Sequence, residues 1–145
     1  MSERKGSAHW QGRGKDGKGS VSTETGTLKD ANYGFSTRFE DDKRGTNPEE
    51  LIAAAHASCF TMAFSFACDK AGFTTDSIDT TASVRLVMKD GGFAIDRIAL
   101  EMSASVPGLD EAKFQELAQG AKAGCPVSKA LGGVPEITLK ATRKA

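Results

Sequence analysis

The chain has 145 residues, 39% of them hydrophobic and 26% charged, with 19 basic side chains balanced by 19 acidic ones. That length suits one domain, 1–145, with one sizeable core, and the charge balance leaves no electrostatic footprint for nucleic acid or an anionic membrane. Three cysteines argue against a disulfide framework, and residues 1–19 (MSERKGSAHWQGRGKDGKG) lack the apolar run of a secretory signal, so the expected compartment is the cytoplasm.

Residues 7–14 and 19–25 read as strands around a Lys15-Asp16-Gly17 turn, because Asp-Gly between such runs is a hairpin signal. Residues 33–40 read as a third strand, with Tyr33, Phe35, Thr37 and Phe39 on one face and Arg38 on the other. After a charged loop, Asn47 is a good N-cap, Pro48 fits the first helical position and Glu50 sits at N3. The spacing predicts a helix over 48–71, ~36 Å long, with Gly72 as its stop. Residues 51–68 carry no formal charge and meet the length rule for a membrane span. Polar His56, Ser58, Thr61 and Ser65 are spread around it and no basic cluster flanks it, so it reads as a helix buried in a protein core.

Residues 78–89 alternate through Ile78, Thr80, Ala82, Val84, Leu86 and Met88, and 93–106 through Ile98, Leu100, Met102, Ala104 and Val106. With Asp90-Gly91-Gly92 between them they form a long hairpin. Asp110 caps a second helix over 111–123, with Phe114, Leu117, Ala118 and Ala121 at helical spacing. Gly124 breaks it, Pro126 opens a short helix to about 131, and 136–142 is a last strand. The order implies an α+β fold with antiparallel sheets packed around a long buried central helix.

Cys59 lies mid-helix, where most cysteines are small buried apolar residues. Cys68 follows ~180° around the helix and ~13 Å along it, so it cannot pair with Cys59 within one chain and reads as structural. Cys125, between Gly124 and Pro126, sits at the start of the short helix, where free N–H groups and the dipole favour a thiolate. Without Cys-x-x-Cys, and with His9 and His56 at no ligand spacing, no metal or organic cofactor is implied. His56 shares a helix face with Cys59, but no third orienting group is evident, and it reads as a partly buried structural residue. Spacing alone leaves open a two-thiol redox site and unrelated structural thiols.

The segments AHWQG (8–12), GKGSVSTETG (17–26), YGFSTRFE (33–40), GTNPEELIAAAHASCF (45–60), AGFTTDSIDTTA (71–82) and KAGCPVS (122–128) narrow the choice. Through them the chain resembles the OsmC/Ohr family of thiol peroxidases, more closely its OsmC branch. The resemblance implies an intertwined homodimer with two active sites. It implies reduction of organic hydroperoxides, and of hydrogen peroxide less well, with a dithiol as reductant, including lipoylated proteins in the Ohr branch. Cys59 matches the peroxidatic cysteine and Cys125 the resolving one. Arg38 matches the family arginine and Glu49 the glutamate of the NPE motif. The Ohr branch takes its arginine from an earlier segment, which corresponds here to Arg13 or Lys18.

These roles have a physical basis. A free thiol titrates near ~8.5, so a guanidinium is needed to hold Cys59 as thiolate. Arg38 would supply it, Glu49 would orient Arg38, and Phe60, Met62, Phe64 and Phe66 would give an apolar lining. Glu49 and Cys59 lie ~15 Å apart along one helix, so both serve one site only if Glu49 comes from a second, antiparallel copy. Glu50 is assigned to capping. A redox sensor using the same disulfide, and a dimer binding a lipid-like ligand, are the competing readings.

Overall fold

In the computed structural model, which describes residues 1–144, the chain forms two compact units, Met1–Leu51 and Ile52–Ala145. The first unit opens with the antiparallel strands β1 (Gly6–Gln11), β2 (Lys18–Thr23) and β3 (Ala31–Tyr33), in that order in the sheet. Gly19 pairs with Trp10 on one side and Tyr33 on the other. Lacking a side chain, it leaves room for those two rings to meet with centroids 5.6 Å apart.

The third strand is shorter than the alternation predicts. After Gly34 the chain turns into a short helix, α1 (Phe35–Phe39), so Arg38 sits in a helical turn and not on a strand face. Thr37 decides the outcome: its hydroxyl accepts from the Gly34 amide at 2.9 Å and donates to the Gly34 carbonyl at 3.1 Å, closing the turn. Phe35 and Phe39, four residues apart, then stack at 5.0 Å, the i,i+4 pairing of a helix. Asn47 donates to the Thr37 carbonyl at 3.0 Å, tying α1 to the start of the next helix.

That helix, α2 (Pro48–Lys70), is 23 residues long and unbroken. Asn47 Oδ1 accepts from the Glu50 amide at 2.8 Å, as an N-cap should. The Glu50 carboxylate accepts from the Thr46 hydroxyl at 2.7 Å, so the reciprocal half of the capping box runs to the preceding residue. Gly72, at φ +90°, ends the helical segment in the left-handed region, which glycine enters without penalty.

The second unit holds β4 (Ser77–Lys89), β5 (Gly92–Ser105), α3 (Glu111–Gly124), α4 (Pro126–Ala130) and β6 (Glu136–Arg143). β4 and β5 pair antiparallel around Asp90-Gly91, both at positive φ, the type I′ hairpin signature. β6 pairs with β5 in parallel, which corrects the all-antiparallel expectation. The cause is connectivity: β5 hands over to α3 and α4, and a helical crossover returns the chain in the same direction. Asp110 caps α3 by accepting from the Lys113 amide at 2.8 Å.

The core of this unit joins Phe60, Phe64 and Cys68 of α2 to Leu100, Met102 and Ala104 of β5 and Phe114, Ala118 and Ala121 of α3. Phe64 and Phe114 meet edge-to-face at 5.3 Å. By length and composition α2 could cross a membrane, yet this face packs against strands and a helix as a core helix does. Its other face is uncovered in the single chain: Met62 is 61% and Phe66 64% exposed. The expectation of a helix buried all round therefore holds on one face only. The architecture is α+β, with a central helix contacting strands.

Removing the Phe114 ring is expected to cost about 3–5 kcal/mol, and Asp110→Ala about 1 kcal/mol, in urea denaturation. Equal losses would contradict this division between core and cap.

Candidate active site

The four residues singled out by sequence form two pairs, one in each unit. In the first unit Arg38 donates from Nε and Nη2 to Glu49 Oε1 at 3.1 and 2.8 Å. Glu49 is largely buried and stands in the first turn of α2, where the helix dipole favours a carboxylate. The Arg38 guanidinium also lies 5.3 Å from the centroid of the Phe39 ring, so two contacts restrict it. Arg13 accepts through its carbonyl from the Gly17 amide in the β1–β2 turn, and Lys18 opens β2.

In the second unit the structure brings Cys59 and Cys125 together as free thiols. Local backbone chemistry explains the position of Cys125. It ends α3, donating its amide to the Ala121 carbonyl at 3.0 Å, and begins α4, accepting from the Lys129 amide at 3.1 Å. Pro126 at the first helical position has no N–H to satisfy, so Val127 and Ser128 carry the first amides of α4.

Burial pushes the Cys125 thiol up, but its neighbours Cys59, Ser128 and Val127 outweigh it and bring the thiol below its ordinary value. Cys59 moves the other way. Burial raises it, the neighbouring Cys125 raises it further, and the Val127 backbone offsets part of this. Cys68 is a core residue whose thiol burial pushes up, with Asp69 adding to the effect, which fits a structural role.

Two residues complete the surroundings of Cys125. His56 is fully buried, and its Nε2 lies 2.7 Å from Ser128 Oγ. Sequence reasoning placed His56 beside Cys59 as a structural residue and passed over Ser128, although Ser128 closes the GCPVS segment. The expected lining divides: Phe60 and Phe64 lie in the core, while Met62 and Phe66 are on the uncovered face of α2. Among the described residues no three His, Cys, Asp or Glu side chains cluster as metal ligands.

A neighbouring pair of free thiols, one half-buried and one buried at a helix junction, is compatible with a redox-active dithiol. The family model described as OsmC-like protein matches residues 40–140. The chain belongs to the OsmC-like protein family. It is 59% identical over 136 residues to peroxiredoxin OsmC of Escherichia coli (strain K12), covering 94% of this chain and 93% of that protein. It is 32% identical over 123 residues to organic hydroperoxide resistance protein OhrB of Bacillus subtilis (strain 168), covering 84% and 88%. The crystal structure of Bacillus subtilis OhrB superposes with a TM-score of 0.68 at 29% identity, covering 97% of this chain and 98% of that one. These identities place the chain nearer the OsmC branch than the Ohr branch, and it is a peroxiredoxin-like, cysteine-based enzyme.

Burial pushes the His56 imidazole below its ordinary value of 6.5, so the folded state keeps it neutral where the unfolded chain binds a proton. Stability should therefore decline as pH falls below about 6.5, and the decline should shrink in His56→Gln, read from urea midpoints between pH 7.5 and 5. An unchanged pH slope in the variant would contradict the burial argument.

Proposed function

We propose that this enzyme reduces organic hydroperoxides, and hydrogen peroxide less well, through a Cys59–Cys125 disulfide cycle reset by a dithiol. The observation that carries the reading is that the two thiols, one on the middle of α2 and one at the α3–α4 junction, stand close enough to act on each other's titration. The names of the relatives add support: one is a peroxiredoxin and one an organic hydroperoxide resistance protein.

In the cycle the Cys59 thiolate attacks the terminal peroxide oxygen, the O–O bond breaks, and the alkoxide leaves and takes a proton to become the alcohol. Cys59 is now a sulfenic acid. Cys125 attacks the Cys59 sulfur, the S–O bond breaks, and the hydroxyl leaves as water with the Cys125 proton. An external dithiol, such as a lipoylated protein, returns both thiols by exchange and is itself oxidised to a disulfide.

Burial and Cys125 raise the Cys59 thiol, and among the described residues the groups that act on it include no cation. The account therefore needs a positive charge delivered to Cys59, and the Arg38–Glu49 pair is the proposed source. A rise of ~1.5 Å per residue separates Glu49 from Cys59 by ~15 Å along α2, which supports a pair supplied by a second chain. The uncovered Met62 and Phe66 support this: an apolar stripe on a long helix is what an antiparallel copy would bury. The proposed assembly is an intertwined homodimer in the cytoplasm, with Arg38 stabilising the thiolate and the leaving alkoxide.

Peptide mapping without reductant, after one equivalent of cumene hydroperoxide, should find Cys59 joined to Cys125, and Cys59→Ser should abolish peroxide consumption. A product in which only Cys68 is oxidised would remove the central residue of the reading.

A further inference from the structure

We propose that His56 and Ser128 form a clasp between α2 and α4 that keeps Cys125 within reach of Cys59, so that disulfide formation outruns a second oxidation of Cys59. The inference rests on the disulfide cycle proposed above. It makes His56 and Ser128 positioning residues for one step of that cycle, the resolution of the Cys59 sulfenic acid.

The segment that follows Cys125 has little else to hold it. α4 is five residues long, Pro126–Ala130, and none of the five is buried. A single helical turn does not stand on its own backbone bonds. Ser128 Oγ lies 2.7 Å from His56 Nε2, and among the described residues this is the one side-chain hydrogen bond that joins α4 to another helix or strand. Whichever atom gives the hydrogen, the contact spans the same two elements. At the α2 end His56 is wholly buried, and its Nδ1 has no hydrogen-bond partner among the described residues. Ser128 is therefore the one hydrogen-bond partner of the imidazole, and a buried polar group resists losing its last partner.

The spacing within each element turns that tie into a position for the thiol. His56 and Cys59 are three residues apart on α2 and share a face of the helix. Cys125 and Ser128 are also three apart, Cys125 at the N-cap of α4. Seating Ser128 on His56 thus sets the approach of Cys125 to the face that carries Cys59.

Two reactions compete for the Cys59 sulfenic acid. In the first, Cys125 Sγ bonds to Cys59 Sγ, the S–O bond breaks, and the hydroxyl leaves as water with the Cys125 proton. In the second, the Cys59 sulfenate attacks a further hydroperoxide and the O–O bond breaks. The sulfur gains an oxygen and loses two electrons to become the sulfinic acid, while the peroxide is reduced to the alcohol. The first is intramolecular and depends on how often Cys125 is in place. The second depends on peroxide concentration, so an undocked α4 slows the first and leaves the second.

The test mixes reduced protein with cumene hydroperoxide, quenches in acid at intervals, alkylates with N-ethylmaleimide and maps the peptides by mass spectrometry. Loss of the Cys59 thiol, the disulfide and the sulfinic acid are then read separately. Ser128→Ala should lose the Cys59 thiol at the wild-type rate, form the disulfide about tenfold more slowly and reach the wild-type sulfinic fraction at about a tenth of the peroxide. His56→Leu should match it, and the double variant should be no slower than either single one. Ser128→Thr, which keeps the hydroxyl, and His56→Gln, whose amide can donate or accept, should recover most of the disulfide rate. A wild-type disulfide rate in Ser128→Ala, equal slowing of both steps, or additive losses in the double variant would overturn the proposal. A second arm alkylates the folded, reduced protein without peroxide, where Ser128→Ala should label the buried Cys125 faster than wild type does. Faster labelling combined with a wild type that never forms the disulfide would sink the cycle and keep the clasp, whereas unchanged labelling would sink the clasp.

Discussion

The constraint on which the rest depends is that α2 is one unbroken helix from Pro48 to Lys70. Its first turn must carry Glu49, which receives Arg38, and its middle must carry Cys59. A helix fixes the rise between such positions, and no local adjustment short of a break brings them together. The same rod has to face a core on one side, and it does so with Phe60, Phe64 and Cys68. What remains is an outward stripe in which Met62 and Phe66 stay exposed in the single chain. On the proposed reading one remedy serves both catalysis and packing, a second copy of the helix that would cover the stripe and carry a cation to the thiol.

The two cysteines divide the electrostatic work unequally. Val127 and Ser128 lower the Cys125 thiol, and Val127 also acts on Cys59, because Pro126 makes Cys125 a junction and not a continuation of α3. Cys59, inside a helix, has no free backbone donors of its own, since every mid-helix amide is already bonded along the axis. Its thiol is raised while that of Cys125 is lowered. On the proposed cycle, Cys59 would therefore need a charge supplied from outside its own chain.

Elements governed by local chemistry were legible in the sequence. The Asn47 and Asp110 caps, the Asp90-Gly91 hairpin and the Gly72 stop each follow from one residue's conformational or hydrogen-bonding preference. The segment after Tyr33 was not, because Phe35, Thr37 and Phe39 satisfy a two-residue alternation while Phe35 and Phe39 also satisfy a helical spacing. The Thr37 turn broke the tie. The parallel placement of β6 was illegible for a different reason: strand order is set by the crossover and by packing on α3, not by the strand's own pattern. In the site, the cysteines were visible from their helix positions, whereas the roles of all four residues came from the family resemblance. The contact between His56 and Ser128 joins residues 72 apart in sequence, and the only hint was the serine that closes GCPVS.

The central claim is that each Cys59 is served by Arg38 of a second chain. Subunit complementation tests it directly. An Arg38→Ala chain and a Cys59→Ser chain, each inactive alone, are co-expressed with different tags and purified as the mixed dimer. The account predicts that this dimer regains about half of the wild-type cumene hydroperoxide reduction, because one intact cysteine meets one intact arginine across the interface. A mixed dimer as inactive as its parents would contradict it, and would place the activating charge within the same chain as the thiol.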